Sequence, residues 1–206
     1  MAPEVLESPT TPEQQEVVRL KTENTALREE NERLRNIAYT DSLMGIANRN
    51  AYNEKREESP DAVLLLDIDN FKIVNDAFQE GHSGGDRILR EAGEYLKSQF
   101  REGDFIARIG GEEIVVFLKN ADVERFKEKV RLGFTTELDG EKIPITFSGG
   151  LTQLNPGESV KDAIERADTA LYVAKEDKAR EDGTIDRGRD RILIYSETMK
   201  KEAEGK

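Results

Sequence analysis

The chain has 206 residues, with 31 lysines and arginines against 43 aspartates and glutamates, a formal net charge of −12. This length predicts one main domain, and the acidic balance disfavours binding to nucleic acid or to an anionic membrane surface. The absence of cysteine excludes disulfides and thiolate metal sites and suits a reducing compartment. Since no apolar run approaches the length of a membrane span, we expect a cytoplasmic protein with neither nucleic acid nor membrane as a partner.

The first segments of the chain are a predicted disordered tail and a long helix. Residues 1–10 combine two prolines with serine and threonine and have no periodicity, which is typical of disorder. The helix is predicted to begin after Thr11, because Pro12 suits the first helical position and Gln14 completes a capping box with Thr11. No glycine or proline then occurs before about Tyr39.

Residues 11–40 carry a heptad repeat. Leucine recurs at position d, asparagine occurs twice at position a, and glutamates at g precede arginines at e by five residues. Paired asparagines at position a favour a parallel two-stranded coiled coil, so we expect this helix to form a homodimer; the alternative is a solvated single helix. The positions are Leu20, Leu27 and Leu34 (d), Val17, Asn24, Asn31 and Ala38 (a), Glu23 and Glu30 (g), and Arg28 and Arg35 (e).

From residue 41 to residue 196 strand and helix signals alternate, which predicts an α+β (or α/β) domain with helices covering a mixed sheet. A charged tail is expected at 197–206. Gly110-Gly111 predicts a type I′ hairpin turn, since both positions of that turn require positive φ. The predicted strands are 63–69, 105–109, 113–118, 143–151 and 191–195, and the predicted helices are 70–78, 86–99, 121–132 and 160–178.

Two acidic clusters lie where predicted strands meet turns. Asp67 and Asp69 end a strand and are predicted to face one side of it, while the carbonyl of Ile68 can also face a cation. Glu112 and Glu113 follow the Gly-Gly turn. If that hairpin packs beside the first strand, a carboxylate from each cluster brackets one Mg²⁺, which prefers hard oxygen ligands. Each cluster alone has an alternative explanation as solvated loop charge.

Three segments in this order resemble the GGDEF-domain diguanylate cyclases. The signature motif appears as GGEEI at 110–114, with Arg108 two residues before it. The family's opening, D-x-L-T-G-L-x-N-R, appears at 41–49 as DSLMGIANR, and its D-[IV]-D-x-F-K-x-[IV]-N-D segment matches in full at 67–76. The resemblance covers 41–195 and implies a palm-like sheet similar to those of nucleotide cyclases and polymerases.

The resemblance also implies roles for individual residues. Asp67 and Glu112 would bind Mg²⁺ (or Mn²⁺) by their side chains and Ile68 by its carbonyl, with two ions per active site. Glu113 would help with the second ion or with phosphate geometry, so that Glu112, Glu113 and Lys72 form the implied catalytic set. The implied substrate-binding residues are Asn70, Phe71, Lys72, Lys175 and Arg189 for the phosphates, Asn75 and Asp86 for the guanine edge, and His82.

Two segments depart from the family pattern. Two extra residues stand between Phe78 and Gly81, in the loop that leads to Asp86. Near the C-terminus the family's A-K-x-x-G-R-N segment is split by a polar insertion: Ala174-Lys175 comes before the insertion, and the pattern resumes at Gly188. Arg189 would then reach a phosphate, with Arg180, Arg187 and Arg191 as competing basic residues.

The implied activity is condensation of two GTP molecules into cyclic di-GMP and two pyrophosphates in a dimer of half-sites, with the coiled coil keeping the two domains together. Arg101 and Asp104 form an R-x-x-D pattern before the signature motif, which the resemblance implies is an inhibitory site for the product. Two alternatives are a degenerate domain that acts as a cyclic di-GMP receptor, and a hybrid cyclase that also uses ATP. A DNA-binding zipper is disfavoured because no basic region precedes Val17.

Overall fold

The computed structural model describes residues 11–77, 82–129, 132–176, 178–179, 185–186 and 189–204. It consists of two compact units that divide between Ala38 and Tyr39. Among the described helices, none is long and apolar enough to cross a lipid bilayer. The predicted disordered tail, 1–10, lies outside the described residues.

The first unit is helix α1, Pro12–Tyr39. Its predicted capping box is confirmed: the Thr11 N–H donates to Gln14 Oε1 at 3.0 Å, and the Gln14 N–H donates to Thr11 Oγ1 at 3.2 Å. None of its residues is buried, and Leu20, Leu27 and Leu34 are 50–57% exposed. A helix this long with an exposed leucine row lacks the packing that normally stabilises it, and the parallel coiled coil stays a prediction.

The second unit is built on a mixed sheet with the order β2-β3-β1-β5-β4, in which β8 pairs with β5 in parallel and the other neighbours are antiparallel. The expected mixed sheet with helices is therefore confirmed. Its elements are α2 Arg49–Lys55, β1 Ala62–Ile68, α3 Phe71–Ala77, α4 His82–Gln99, β2 Phe105–Arg108, β3 Glu113–Leu118, α5 Val123–Lys129, β4 Gly133–Leu138, β5 Glu141–Gln153, α6 Val160–Lys175, β6 Lys178–Ala179, β7 Ile185–Asp186, β8 Ile192–Ile194 and α7 Glu197–Glu204.

Strand β1 is the central strand, and all seven of its residues are buried. Leu64 and Leu66 belong to one apolar core, which also contains residues of α4, while Val63 and Leu65 belong to a second core with residues of α6. A strand covered on both faces is apolar at consecutive positions, which explains its unbroken hydrophobic run. The same strand places Asp67 near its C-terminal end, just before the turn into α3.

The type I′ turn predicted at Gly110-Gly111 is wrong, since neither residue has a positive φ. The connection extends through Glu112, because the Ile109 N–H donates to the Glu113 carbonyl at 2.9 Å. Two consecutive residues with positive φ occur instead at Asp139 (50°) and Gly140 (81°). They join β4 to β5, and β4 is a strand that the sequence analysis missed.

Several element boundaries also differ from the predictions. Helix α4 begins at His82 rather than Asp86, and α6 ends at Lys175 rather than residue 178. Helix α5 covers Val123–Lys129 of the predicted 121–132, with residues 130–131 outside the description. Helix α2 was not predicted, and α7 occupies most of the segment predicted as a charged tail.

Candidate active site

A pocket of about 220 Å³ opens at the end of β1. It brings residues of both acidic clusters together with three cationic side chains, although these residues come from β1, α3, the β2–β3 connection, α6 and the segment before β8. The lining residues are Asp67, Ile68, Asp69, Asn70, Phe71, Lys72, Ile73, Glu112, Lys175 and Arg189.

Asp67 is a buried carboxylate beside a lysine. It is 7% exposed, and Lys175 Nζ lies 2.6 Å from its Oδ1. Burial raises the pKa of Asp67; the neighbouring ammonium of Lys175 opposes this, while the negative charges of Glu112 and Asp69 add to it. A buried carboxylate of this kind is stabilised by a cation, and in this structure Lys175 supplies one.

Asp69 has a different environment from Asp67, although it also is buried. Its carboxylate accepts hydrogen bonds from the hydroxyls of Thr146 and Ser148, both at 2.7 Å, and from the backbone N–H of Asp190 at 2.9 Å. The sequence predicts that Asp69 faces the same side of the strand as Asp67, at the end where a metal would bind. The structure shows that both of its oxygens bind groups from later in the chain.

The turn that carries Glu112 is held by Arg108. The Arg108 guanidinium donates to the carbonyls of Gly110 at 3.1 Å and Gly111 at 2.9 Å, and its Nη1 lies 3.1 Å from Asp41 Oδ2. These side chains of Arg108 and Asp41 are only 15% and 20% exposed, so the ion pair is shielded from solvent. The opening motif at Asp41 therefore fixes the hairpin turn and, with it, the position of Glu112.

Glu113 lies opposite Asp67 in the antiparallel register of β1 and β3. Its carboxylate covers Gly110, where an added Cβ would stand 2.2 Å from Glu113 Oε2. Glycine is therefore needed at position 110 because the Glu113 carboxylate lies against its backbone, and not because the position has a positive φ. Glu113 is exposed, whereas Glu112 is partly buried and lines the pocket.

The chain turns directly after β1 at Asn70, which has a φ of 56°. Asparagine is among the few residues other than glycine that adopt this conformation readily. The turn leads into α3 and brings Phe71 and the exposed Lys72 to the pocket lining.

The predicted cations near the C-terminus divide into two groups. Lys175 and Arg189 line the pocket. Arg191 instead donates to the carbonyls of Val173 and Glu176, both at 3.1 Å, and Ala174 at 2.9 Å, at the end of α6. Arg180 and Arg187 lie outside the described residues, as does Gly188.

The residues predicted to bind guanine lie apart from this pocket lining. Asn75 is on α3 and Asp86 on α4, and the Asn75 amide packs against Gly85, where an added Cβ would meet its Oδ1 at 2.1 Å. Asp86 lies 3.8 Å from Arg90 on α4. The inserted loop, residues 78–81, and the side chain of His82 lie outside the description.

A second and larger cavity, of about 410 Å³, contains Arg101 and Asp104 in its wall. Asp104 accepts hydrogen bonds from the backbone N–H groups of Arg101 and Lys119, both at 3.1 Å. Arg125 of α5 lines the same cavity. Arg125 is not predicted from the sequence, because no motif marks it and only the packing of α5 places it in the same cavity wall as Arg101.

The donor set of the first pocket fits a divalent ion such as Mg²⁺. It offers the carboxylates of Asp67 and Glu112 and the backbone carbonyl of Ile68, all hard oxygen ligands. No group of three or more acidic, histidine or cysteine side chains suited to a metal occurs in the part of the chain that the structure describes. Since Mg²⁺ is usually held by one or two carboxylates together with substrate phosphates, two carboxylates are sufficient.

Comparison with known proteins assigns most of the chain to one family. Residues 38–181 match the family model "Diguanylate cyclase, GGDEF domain". The chain belongs to the GGDEF-domain family of diguanylate cyclases.

Relatives and solved structures show how far the similarity extends. Diguanylate cyclase DgcP of Pseudomonas aeruginosa is 39% identical over 153 residues, which cover 67% of this chain and 22% of DgcP. Diguanylate cyclase A of Treponema denticola is 36% identical over 160 residues, covering 74% of this chain and 39% of the relative. The chain therefore spans less than half the length of these two curated relatives.

Among solved structures, the coiled coil and GGDEF domain of DgcB from Caulobacter crescentus, in complex with c-di-GMP, superimposes with a TM-score of 0.65 at 30% identity, covering 89% of this chain and all of that one. Diguanylate cyclase SiaD from Pseudomonas aeruginosa, in complex with its activator SiaC, gives a TM-score of 0.64 at 30% identity, covering 87% and 71%.

Proposed function

We propose that this chain condenses two GTP molecules into cyclic di-GMP with release of two pyrophosphates. One observation carries the proposal: in a chain of the GGDEF family, the carboxylates of Asp67 and Glu112 share a pocket with Lys72, Lys175 and Arg189. A site that binds a nucleoside triphosphate needs carboxylates that hold a divalent ion and, next to them, cationic side chains that bind the phosphates.

In the proposed mechanism each 3′-hydroxyl attacks the α-phosphorus of the other GTP. A bond forms between O3′ and phosphorus, and the bond from that phosphorus to the oxygen of the leaving pyrophosphate breaks. Glu112 takes up the hydroxyl proton, while Lys72, Lys175 and Arg189 hold the phosphates, together with the backbone amides of Asn70 and Phe71. Glu113, at the edge of the site, would help to hold the second ion or to set the phosphate geometry.

Asp67, Glu112 and the Ile68 carbonyl would hold Mg²⁺ or Mn²⁺, and two ions per site are part of the proposal. Bound divalent ions lower the pKa of the attacking hydroxyl and stabilise charge on the phosphoryl oxygens. In the present arrangement Lys175 contacts Asp67 at 2.6 Å, so an ion at Asp67 would free the Lys175 ammonium for the substrate phosphates. Asn75, Asp86 and His82 would complete recognition of the guanosine.

The proposal needs two domains, because each pocket holds one GTP. The exposed heptad positions of α1 support a parallel coiled-coil dimer that keeps the two half-sites at a high effective concentration. The absence of cysteine suits the cytoplasm as the place of action. Cyclic di-GMP would inhibit by binding at Arg101 and Asp104, and Arg125 in the wall of the same cavity supplies a further cation for its phosphates.

Product analysis tests this function. Purified chain is incubated with Mg²⁺ and GTP, with ATP, and with both, and the products are separated by chromatography; we expect cyclic di-GMP from GTP. Glu112→Gln should abolish the product, while Glu94→Gln, at an exposed position on α4 away from the pocket lining, should not. No cyclic dinucleotide under any condition contradicts the proposal, and a mixed product from GTP and ATP identifies the hybrid cyclase.

A second candidate function is a cyclic di-GMP receptor. It is favoured by the separate 410 Å³ cavity at Arg101 and Asp104, which shares no lining residue with the pocket at Asp67 in the part of the chain that the structure describes. Binding of cyclic di-GMP by a chain that forms no product would select this alternative. Arg101→Ala should then abolish the binding.

A further inference from the structure

We propose that residues 189–191, which we name the clasp, position the two phosphate-binding cations of the pocket. Asp69 and Arg191 are the positioning residues: Asp69 fixes the backbone beside Arg189, and Arg191 fixes the end of α6 that carries Lys175. This inference rests on the proposed function. Arg189 belongs to the clasp and Lys175 to the end of α6, and both line the pocket. Their side chains are long and flexible, so their backbones must be held for the ammonium and guanidinium to converge.

The first attachment joins the clasp to the strand that carries Asp67. The Asp69 carboxylate accepts the Asp190 N–H at 2.9 Å while also binding the hydroxyls of Thr146 and Ser148 at 2.7 Å. Asp69 is 5% exposed, and hydrogen bonds to a shielded carboxylate are among the stronger ones in proteins. The backbone next to Arg189 is thereby fixed to both β1 and β5.

The second attachment joins the clasp to α6. The Arg191 guanidinium donates to three carbonyls at the C-terminal end of α6, those of Val173, Ala174 and Glu176, where a helix runs out of backbone donors of its own. Lys175 lies between two of these acceptors in sequence. The Arg191 carbonyl in turn accepts the Gly149 N–H at 2.9 Å, so one residue ties the end of α6 to β5.

The conformation of the clasp agrees with this role. Asp190 has a φ of 56°, which is unfavourable for most residues other than glycine, and its N–H is the group that Asp69 binds. The chain bends at this left-handed residue, between Arg189 and Arg191. The two arginines are thus separated, since Arg189 lines the pocket and Arg191 binds the end of α6.

The test compares two substitutions of Asp69 in the full chain. Asp69→Ala removes the acceptor. Asp69→Asn removes the same charge but keeps an oxygen for the Asp190 N–H and Thr146, while its amide donates to the Ser148 hydroxyl. The measurement is the Kd of a GTP analogue with a methylene group between the α- and β-phosphorus, in Mg²⁺, together with KM, kcat and the melting temperature.

We expect Asp69→Ala to raise the Kd and the KM about tenfold, the size of effect that follows loss of one hydrogen bond, and Asp69→Asn, which keeps the acceptor, to change them less than about twofold. Arg189→Ala should also raise the Kd about tenfold, and adding Asp69→Ala to it should change the Kd by less than about twofold, because Asp69 acts through Arg189. Two effects that multiply in the double variant overturn the inference.

Arg191 provides a second test if Asp69→Ala does not fold. Arg191→Lys keeps the charge but loses the planar fork that contacts several carbonyls. It should raise the Kd severalfold in the parent and leave it unchanged in a Lys175→Ala background, and equal effects in both backgrounds overturn the inference. A parent chain that binds the analogue, with Asp69→Ala binding it equally well, overturns the clasp and leaves the proposed function intact. A parent chain that binds no analogue overturns both.

Discussion

Stability and the proposed chemistry favour different protonation states of Asp67. Burial raises its pKa above that of the unfolded chain, so its protonated form favours folding and this contribution is lost as the pH rises through the raised pKa. At neutral pH the ionised side chain therefore lowers the free energy of unfolding, while metal binding requires the ionised form.

Substitution of Asp67 should separate these two effects. We expect Asp67→Asn to form no cyclic di-GMP and to melt at the same temperature as the parent or higher at pH 7. Asp168→Asn, at an exposed position on α6, serves as the control and should change neither property. Calorimetry and product analysis measure the two effects, and full activity of Asp67→Asn would disprove its role as a metal ligand.

Lys175 should set the pH range of metal binding. Its ammonium lowers the pKa of Asp67, so Lys175→Met should raise that pKa further and move the acidic limb of Mn²⁺ binding to higher pH. Lys72→Met is the matched control, because Lys72 lines the same pocket but is not among the groups that shift the pKa of Asp67. An unchanged acidic limb in Lys175→Met contradicts the assignment of Asp67 as the titrating ligand.

At the scale of elements, the packing of α6 on β5 positions Lys175. Gly150 permits this packing, since an added Cβ would lie 1.9 Å from the Ala167 carbonyl oxygen and 2.5 Å from the Leu171 nitrogen. Both neighbours are backbone atoms, so they cannot move aside without shifting the helix. Helix and strand therefore meet at a distance that only glycine allows.

Gly150→Ala should lower the free energy of unfolding by about 1–3 kcal/mol, the usual effect of overpacking. Gly103→Ala is the control, because no atom lies within 4 Å of the added Cβ and its φ is not positive. Urea unfolding measures both variants. Equal stability of Gly150→Ala and the parent would show that α6 is not held by this close contact.

Elements with strong local signals were predicted well, and elements that depend on distant partners were not. Strands β1 and β3 each contain a continuous apolar run, and α6 follows the capping residue Ser159. Strand β4 has a weak apolar signal, since only Phe134 and Leu138 among its six residues are large and apolar, although the Asp139-Gly140 pair after it is a typical turn sequence. A glycine pair alone does not define a type I′ turn, since Gly110 and Gly111 connect two strands without a positive φ.

The candidate site follows the same division. Asp67 and Glu112 were predicted to meet, because each belongs to a short motif with its own pattern. The bonds of Asp69 were not predictable, since its partners Thr146, Ser148 and Asp190 are 77, 79 and 121 residues away. The sequence offers Arg191 as a competing phosphate ligand. In the structure it instead binds carbonyls at the end of α6, and this contact depends on the helix ending at Lys175.

At the scale of the whole molecule, the leucine row of α1 should control dimerisation and hence activity. Leu27→Asp places a charge at position d and should make activity per chain rise steeply with protein concentration, because half-sites must then meet by diffusion. Ala26→Asp, at an outer heptad position, adds the same charge and should behave like the parent. Sedimentation and initial rates measure this, and high activity of dilute Leu27→Asp contradicts the prediction.

Inhibition by product should act at a distance from the active pocket. Arg101 precedes β2 and Glu112 follows it, and the four residues of that strand span about 13 Å. Arg101→Ala should therefore relieve inhibition by cyclic di-GMP and leave initial rates nearly unchanged, and inhibition of the parent should be non-competitive with GTP. Lys161→Ala, on exposed α6 surface, is the control. Competition between product and GTP in the parent contradicts a separate inhibitory site.

The central place of β1 in the sheet also has a consequence for the synthesis of the chain. Both neighbours of β1, which are β3 and β5, leave the ribosome long after it, and such non-local pairing makes folding slow. A growing chain that ends before β5 leaves one edge of an apolar strand open, and open apolar edges promote aggregation. Chaperone binding to β1 during translation should therefore persist until β5 has emerged.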